Sequence, residues 1–438
     1  MAYERLPLSD NLSVNEEGRL FFAGADTRTL AEKYGTPLYL MDEDRIRANI
    51  RLYKDAFRDL WPGEAEVLYA SKACSFLEIC RIAESEGISL DAVSPGELLT
   101  AKKAGFDLGR AYFQGNNKTD EDIACAVEWG VGTFVTDNPE ELSALEKEAA
   151  RRGIRQKILL RLTPGVDCHT YEAVNTGKVD SKFGVAIETG QAASFVREAL
   201  ASAHLELLGF HCHVGSQVFD EDVFERTARI MLGFIASVRE KTGYTARVLD
   251  LGGGYGVRYV DRDPAIDVRK KIGDVSETIR ETCRELSLPL PRLLMEPGRS
   301  IVADAGLTLY RTGSVKRIPG YKNYLSVDGG MGDNPRFALY GARYTVYPAE
   351  KMREERDMVC DLVGRFCESG DEIQRDIRMP RSMERGDLVA VATTGAYNYS
   401  MASLYNRVPR PPVVMIRNGE DRLVVRRETP EDLLALDL

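Results

Sequence analysis

The sequence has few histidines, no run of basic residues and no long apolar stretch. Its 438 residues include 4 histidines, and 58 Lys+Arg stand against 68 Asp+Glu, which gives a formal net charge of −10. This acidic balance argues against a general nucleic-acid binder, which carries a basic patch. No apolar segment follows a basic one at the N-terminus, and no stretch approaches the roughly 18 apolar residues of a membrane span. We therefore expect a cytoplasmic protein with no nucleic-acid and no membrane partner.

Eight cysteines are spread along the chain, and no two of them form a C-x-x-C pair. Dispersed thiols in a large chain are typical of a reducing compartment and not of a disulfide framework. His211 and His213 would point both rings to one face of a strand, which is one way to begin a zinc site. With so few histidines in the chain, we expect no metal.

Short apolar runs alternate with longer segments of helical period from about residue 38 to 300. This alternation is typical of repeated β/α units around a parallel sheet. The candidate strands are Leu38–Met41, Val67–Ser71, Ser89–Val93, Ala111–Gln114, Thr133–Val135, Ile158–Leu162, Leu208–Cys212, Val248–Leu251 and Leu293–Met295. Nine runs suit an eight-stranded (β/α)8 barrel with one extra strand, whereas an open doubly wound sheet stays the alternative. Apolar spacing between Phe76 and Ala83 predicts an amphipathic helix on the outside of the barrel.

After about residue 306 the β runs follow one another without helices, which predicts an all-β domain. These runs are Leu307–Tyr310, Tyr324–Val327, Tyr344–Tyr347, Met358–Val363, Leu388–Ala392 and Val413–Ile416. The pair Asn418-Gly419, between Val413–Ile416 and Leu423–Val425, suits a type I′ hairpin turn. We expect residues 35–305 to form the barrel. Residues 1–34 and 306–438 should form the β-domain, as a β-barrel or a sandwich.

Reactive groups of a β/α barrel lie at the C-terminal ends of its strands. Lys72 follows one strand, where a desolvated lysine can attack an aldehyde, although a solvated loop lysine is the alternative. The glycines at 252–254 would expose backbone N–H groups to a phosphate, or would only make a tight turn. The segment 296–299 combines a carboxylate with a guanidinium, which an ion pair capping the barrel would also explain. Asp91 and Arg161 lie at strand ends as well, and either could be a structural ion-pair member.

Six motifs occur in order along the chain. They are Tyr69-Ala70-Ser71-Lys72-Ala73, His211-Cys212-His213-Val214-Gly215-Ser216-Gln217, Gly252-Gly253-Gly254, Glu296-Pro297-Gly298-Arg299, Cys367-Glu368-Ser369-Gly370-Asp371 and Gly395-Ala396-Tyr397. Together they resemble the fold-type III pyridoxal-phosphate enzymes, the alanine racemase and ornithine decarboxylase superfamily. Within it, the diaminopimelate decarboxylases are the most similar group. The resemblance covers nearly the whole chain.

The resemblance implies that the cofactor is pyridoxal 5'-phosphate and that Lys72 forms the covalent link to it. Glu296 is implied as the partner of the pyridine nitrogen, because a nearby carboxylate favours the protonated form of that nitrogen. His213 resembles the residue that stacks on the cofactor ring. The implied contacts of the cofactor phosphate are the backbone around Gly253, Gly254, Gly298 and Arg299 and the hydroxyls of Ser216 and Tyr397.

The segment around Cys367 resembles the decarboxylase pattern and not the racemase pattern. It implies that Cys367, with Lys72, is catalytic and donates a proton to the carbanion, because a thiol has a pKa nearer to neutrality than a hydroxyl. A buried β-domain cysteine is the alternative. The implied substrate contacts are Arg299, Arg336, Tyr340, Glu368 and Tyr397. The two arginines suit the distal carboxylate of a diamino diacid, and Tyr340 and Glu368 suit its distal amino group.

The implied reaction is the decarboxylation of meso-2,6-diaminopimelate to L-lysine and carbon dioxide, the last step of lysine biosynthesis. A decarboxylase of another basic amino acid, such as D-ornithine, D-lysine or arginine, stays open. A non-catalytic homologue is a third reading, against which the presence of Lys72, Glu296 and Cys367 together argues. Because Cys367 and Glu368 belong to the predicted β-domain and Lys72 to the predicted barrel, the resemblance implies a homodimer with shared active sites.

Overall fold

The structure is a computed structural model that describes residues 4–167 and 180–438. Cys168, one of the eight cysteines, lies outside the described residues. The strands are β1 (Glu4–Leu6), β2 (Ser9–Val14), β3 (Leu20–Phe22), β4 (Ala25–Asp26), β5 (Leu38–Asp42), β6 (Ala65–Ala70), β7 (Ser89–Ala92), β8 (Ala111–Phe113), β9 (Thr133–Thr136), β10 (Gln156–Thr163), β11 (Val185–Ala186), β12 (Leu205–His211), β13 (Val248–Asp250), β14 (Arg292–Met295), β15 (Gly306–Ile318), β16 (Lys322–Val327), β17 (Val346–Pro348), β18 (Met358–Val363), β19 (Glu372–Met379), β20 (Leu388–Ala392), β21 (Val413–Arg417) and β22 (Glu420–Val425).

The α-helices are α1 (Thr27–Tyr34), α2 (Glu43–Leu60), α3 (Leu77–Ser85), α4 (Pro95–Ala104), α5 (Asp120–Glu128), α6 (Pro139–Arg152), α7 (Gln191–Ala201), α8 (Val223–Thr242), α9 (Val268–Glu285), α10 (Arg299–Val302) and α11 (Arg336–Tyr340). Within the two described ranges, no helix has both the length and the apolar character needed to cross a membrane.

The first of two compact units contains residues 50–256 and 266–300. Eight parallel strands close into a barrel in the order β6, β7, β8, β9, β10, β12, β13 and β14, and β14 pairs with β6. The short β11 pairs with β10 outside this ring. The predicted eight-stranded barrel is therefore confirmed, and the open doubly wound sheet is excluded by the closure.

Apolar side chains from six of the barrel strands meet in one buried cluster. Its members are Leu68, Tyr112, Val135, Leu159, Val248 and Leu294. Such packing is typical of a β/α barrel, whose interior is a filled core and not a pore. The predicted amphipathic helix is α3, which buries Ile79, Cys80, Ile82 and Ala83. The filled interior leaves the strand ends as the place for polar side chains.

Capping residues fix where the helices begin after the strands. Ser94 precedes α4 and accepts a hydrogen bond from the backbone N–H of Glu97 at 3.2 Å, and Pro95 stands at the first turn. Asn138 precedes α6 and accepts from the N–H of Glu141 at 2.9 Å. Side-chain caps of this kind satisfy N–H groups that the first turn leaves unpaired. Both caps keep the loops after β7 and β9 short.

The second unit contains residues 1–49, 257–265 and 301–438. One of its sheets follows the path β19-β18-β16-β15-β5-β21-β22, with β20 pairing both β15 and β17, and the other contains β1 to β4. The extra run among the nine candidates is β5, which pairs with β15 and β21. These unit boundaries therefore differ from the predicted limit at residues 34 and 35, because β5 lies in this sheet and not in the barrel.

The N-terminal strands share one hydrophobic core with the long sheet of this unit. Buried Leu12, Leu20 and Phe22 belong to the same cluster as Leu309 and Val414. The hairpin predicted at Asn418-Gly419 joins β21 to β22, and both turn residues have positive φ, 51° and 77°. A type I′ turn requires positive φ at both central positions.

Candidate active site

Lys72 lies at the C-terminal end of β6, in a short 3-10 turn that spans Ser71–Ala73. Its Nζ is 3.7 Å from Oδ2 of Asp91, which is fully buried in β7. Burial raises the pKa of Asp91 to about 7, although the Lys72 charge opposes the rise. The amine therefore lies beside a carboxyl group that gains or loses its proton near neutral pH.

Glu296 follows β14 directly and is buried. Gln114 donates a hydrogen bond through Nε2 to its Oε1, and Nε2 of His211 is 3.3 Å from its Oε2. Burial alone would raise the pKa of Glu296, but His211 and the Lys72 charge bring it down to about 2. Glu296 is therefore a buried anion with a donor at each oxygen.

His213 stands just after β12, beside the glycine turn that follows β13. The N–H of Gly253 lies 3.3 Å from Nδ1 of His213, which fits a hydrogen bond into an unprotonated ring nitrogen. Desolvation, with the charges of Lys72 and Arg161, holds the pKa of His213 well below its ordinary value. The imidazole is therefore neutral and presents a flat ring.

The glycine turn leaves no room for side chains. A Cβ atom at Gly253 would lie 2.1 Å from the carbonyl oxygen of Glu296, and one at Gly254 would lie 2.2 Å from that of Gly215. Gly252 and Gly254 also have φ of 67° and 132°, a region that side chains rarely adopt. The close approach to the carbonyl of Glu296 brings this turn beside the buried carboxylate.

Arg299 is buried at the start of α10 and donates to the Ser216 hydroxyl from Nε at 3.2 Å and from Nη2 at 3.0 Å. Gly298, which precedes Arg299, packs against the end of β6, since an added Cβ atom there would lie 2.9 Å from Cβ of Ala70. The predicted phosphate contacts Ser216, Gly298 and Arg299 thus belong to one packed region of the barrel. A guanidinium and a hydroxyl in contact suit an anion such as a phosphate.

Two further buried charges are Arg161, within β10, and Lys118, in the loop after β8. Arg161 has Nε 4.0 Å from Oδ1 of Asp137, and its guanidinium lies 4.4 Å from the ring centre of Phe183. Lys118 is buried and donates to Glu141 at 2.8 Å, and it also donates to the carbonyl oxygens of Gly115 and Val135. Lys118 therefore joins the loop after β8 to β9 and to the first turn of α6.

The predicted substrate contacts of the second unit surround Arg336, the first residue of α11. Arg336 is only 8% exposed, and its guanidinium lies 5.5 Å from the ring centre of Tyr340 and 5.3 Å from that of Tyr397. Its Nε has no hydrogen-bond partner among the described residues. A buried guanidinium with an unmet donor suits an anionic ligand, because burying an unpaired charge is costly.

The loop that carries Cys367 is exposed, and the buried side chain of Asp371 holds the backbone next to it. Asp371 is buried and accepts hydrogen bonds from the N–H groups of Phe366 at 2.7 Å and of Met331 at 2.6 Å. The N–H of Cys367 donates to Oδ1 of Asn406 at 2.7 Å. The thiol is therefore not a buried β-domain cysteine. Glu368 is exposed too, and the N–H of Gly370 holds its pKa below the usual value.

These groups fit pyridoxal phosphate. The barrel holds a strand-end amine at Lys72, a buried anion at Glu296, a neutral ring at His213 and a glycine turn in which added Cβ atoms would collide with neighbouring carbonyl oxygens. Each suits one part of the cofactor: the aldehyde, the pyridine nitrogen, the ring face and the phosphate.

Sequence reasoning missed two residues of this site, Gln114 and Asp250. Both contact or neighbour Glu296, and both are buried polar residues at the ends of barrel strands. Both also lie inside predicted strands, so a search of the residues that follow each apolar run did not select them. His211 had no assigned role from the sequence, and the structure places it against Glu296.

Comparisons with known proteins agree with this geometry. The family model described as pyridoxal-dependent decarboxylase, pyridoxal binding domain, matches residues 43–303. The chain is 45% identical over 425 residues to the diaminopimelate decarboxylase of Bacillus subtilis, covering 97% of this chain and 96% of that protein. It is 42% identical over 440 residues to that of Mycobacterium tuberculosis, covering 98% and 97%. The crystal structure of diaminopimelate decarboxylase from M. jannaschii with L-lysine superposes with a TM-score of 0.89, at 33% identity and 98% coverage of both chains.

Proposed function

Because the chain belongs to the pyridoxal-dependent decarboxylase family, we propose that it converts meso-2,6-diaminopimelate to L-lysine and carbon dioxide, the last step of lysine biosynthesis. The names of its curated relatives and of its structural neighbour support this substrate. The cofactor is pyridoxal 5'-phosphate, and the protein is a carboxy-lyase. A cytoplasmic location goes with the proposal, since the seven cysteines in the described residues are free thiols.

Arg336 is the single observation that carries the choice of substrate. Its guanidinium is buried against the rings of Tyr340 and Tyr397, with Nε unpaired in the described part of the chain. A second carboxylate on the substrate would supply an acceptor for this Nε and a counter-charge for the guanidinium. Ornithine or lysine carries only an ammonium group at the far end, so it would leave the guanidinium unpaired.

Residues of the barrel bind and orient the reacting groups. The Lys72 amine would form the covalent attachment to the cofactor, and the Glu296 anion would favour the protonated form of its pyridine nitrogen. His213, being neutral, would confine the ring without exchanging a proton with it. Ser216, Arg299 and the glycine turn would hold the phosphate. When bound, pyridoxal phosphate supplies a ring that accepts the electron pair released as carbon dioxide leaves.

Cys367 is proposed as the proton donor that completes the reaction. The bond to the carboxylate breaks, carbon dioxide leaves, and the thiol gives its proton to the same carbon. Exposure of this loop on the single chain supports its action at another protein surface. We therefore propose a homodimer in which Cys367 and Glu368 of one subunit complete the site that contains Lys72 of the other.

Mixing two variants tests this sharing of sites. Lys72→Ala subunits and Cys367→Ala subunits are each expected to be poorly active alone. If sites are shared, a hybrid dimer has one site with both residues intact, and an equal mixture should recover about a quarter of the wild-type activity for a twofold-symmetric dimer. No recovery in a mixture that demonstrably exchanges subunits would contradict the shared arrangement.

Carbon dioxide release tests the substrate. The protein loaded with pyridoxal phosphate is given meso-diaminopimelate, ornithine, lysine or arginine, the last three in both stereoisomers. Selective turnover of the diacid with formation of lysine is the expected result. Preferred turnover of a monocarboxylic amino acid would retain the fold and the cofactor and overturn the proposed substrate.

A further inference from the structure

Asp250 is the last residue of β13 and is fully buried. Its Oδ1 accepts a hydrogen bond from the backbone N–H of Gly252 at 2.8 Å. Its Oδ2 has no hydrogen-bond donor among the residues that the structure describes. One side-chain oxygen of Asp250, one of Glu296 and one ring nitrogen of His211 all lie within 4.8 Å of one another.

Two carboxyl groups buried side by side cannot both be ionised at low cost, because their charges repel in a medium that screens them poorly. Of the two carboxyl groups, Glu296 is the one whose ionised form is better stabilised. It accepts from the amide of Gln114 at one oxygen and lies 3.3 Å from Nε2 of His211 at the other, whereas Asp250 accepts a single backbone bond. The shared proton therefore belongs on Asp250.

We propose that Asp250 is a positioning residue that remains a neutral carboxylic acid in the folded protein and donates its proton to Glu296. With Gln114 and His211 it fixes the plane and the charge of Glu296 where the pyridine nitrogen binds. Through Gly252 the same residue also holds the start of the glycine turn. Asp250 thus links the pyridine end of the cofactor site to the phosphate end.

The electrostatics of the site agree with this arrangement. Burial raises the pKa of Asp250 well above its ordinary value, and the neighbouring Glu296 charge raises it further. Burial also lowers the pKa of His211, so that ring is a neutral partner. Lys72 and Arg161 are the cations and Asp91 is the further carboxyl group that act on this cluster. Glu296 is therefore the ionised member of the carboxyl pair, and Asp250 is the protonated one.

Asp250→Asn and Asp250→Leu form a matched pair that tests the role. The asparagine amide can donate to Glu296 through Nδ2 and accept from Gly252 through Oδ1, so it replaces both bonds without a titratable proton. Leucine has the same branched shape, with larger methyl groups in place of the two oxygens, and replaces neither bond. We expect Asp250→Asn to keep the absorbance of the bound cofactor and its pH response, measured without substrate, and Asp250→Leu to lose cofactor affinity at least tenfold.

Infrared spectroscopy measures the proton directly. The difference spectrum between the wild-type holoenzyme and Asp250→Asn should contain the C=O stretch of a protonated carboxylic acid. A difference spectrum with only carboxylate bands would show that Asp250 is ionised and would overturn the proposal. Loss of the cofactor in Asp250→Asn would also overturn it, as would a stoichiometric metal ion in the wild-type protein that His211, Asp250 and Glu296 together bind.

This inference rests on the cofactor in the proposed function and not on the substrate. If the protein decarboxylates no diaminopimelate but retains the infrared band and the tolerance of Asp250→Asn, the proposed substrate fails and the role of Asp250 stands. If Asp250→Leu does not fold, the infrared band and the asparagine variant still decide between the neutral and the ionised group.

Discussion

Arg336→Met should separate recognition of the distal carboxylate from the rest of catalysis. Methionine is apolar and of similar length, so it can occupy the space between Tyr340 and Tyr397 where the guanidinium lies. Removing the cation leaves the substrate carboxylate without its partner in a buried place. We therefore expect a loss that is confined to ligands with a carboxylate at that end.

The magnitude follows from the burial of Arg336. Truncating one partner of a buried, hydrogen-bonded charge pair costs about 2–5 kcal/mol. At about 1.4 kcal/mol for each factor of ten, kcat/KM for meso-diaminopimelate should fall about 30- to 4,000-fold. The fold should tolerate the change, because methionine removes a buried charge whose Nε has no partner in the described residues.

Two inhibitors supply the matched control. L-Lysine, the proposed product, retains the distal carboxylate of the substrate, whereas 1,5-diaminopentane has the same chain and amino groups and no carboxylate. In the Arg336→Met variant, the inhibition constant of L-lysine should rise by a factor similar to the loss in kcat/KM. That of 1,5-diaminopentane should stay close to the wild-type value. A thermal unfolding measurement shows whether the variant is intact.

Equal weakening of both inhibitors would refute the reasoning, since Arg336 would then act on the shape of the site and not on the carboxylate. Unchanged turnover of meso-diaminopimelate would refute it as well. Arg336→Lys refines the result: it keeps a positive charge but loses the planar fork, so its loss should be smaller than that of Arg336→Met.

Four further predictions concern the cofactor, the proton donor and stability. Lys72→Ala should remove the absorbance of the bound cofactor, because the covalent link needs a primary amine, and a band that persists after gel filtration would contradict this. Cys367→Ala should keep that absorbance and slow turnover, whereas wild-type rates would point to another proton donor. Lys118→Met should lower the free energy of unfolding by about 3–5 kcal/mol in urea titrations, because Glu141 stays buried without its cation. The double variant with Glu141→Leu should recover most of that loss, and no recovery would contradict the argument. In the cofactor-free protein, the raised pKa of Asp91, about 7, means that the folded state binds this proton more tightly than the unfolded state. Wild-type stability from this group should therefore be complete below about pH 4 and be lost as the pH rises through about 7, and Asp91→Asn should remove that part of the pH dependence.

The barrel could be predicted from the sequence because each of its strands is a short apolar run between turns. The sequence did not show which of the nine candidate strands lies outside the barrel. Leu38–Asp42 is buried along its whole length, as a barrel strand would be, but its partners are β15 and β21. Those pairings join residues far apart in the chain, so no local pattern specifies them.

The strand β19 was not predicted, and its pairing explains why. Its register with β18 shifts at two places, and Asp376 within it has φ of 54°. These irregularities interrupt the alternation of buried and exposed residues that identifies a strand on one face of a sheet. Charged residues along Glu372–Met379 therefore suggest a loop when they are read from the sequence alone.

The strand-end rule found Lys72 and Glu296 because each follows an apolar run, whereas His213 was implied by the family resemblance. Gln114 and Asp250 escaped it because each was counted as part of a run. A polar residue that ends a buried barrel strand is informative in itself, since burial of such a group is costly without a partner. Applied to both ends of every run, the same rule would have selected Gln114 and Asp250 as candidates for contact with a buried charge.

Buried polar residues at the ends of the barrel strands oppose stability, and this cost is one reason to propose an active site there. Glu296, Arg161 and Lys118 are charged groups in an environment that favours neutral ones, and Asp91 and Asp250 respond by retaining protons more tightly. Selection for stability alone would replace several of them with apolar side chains. A bound cofactor with a protonated ring nitrogen would offset part of this cost, because Glu296 would then have a cationic partner.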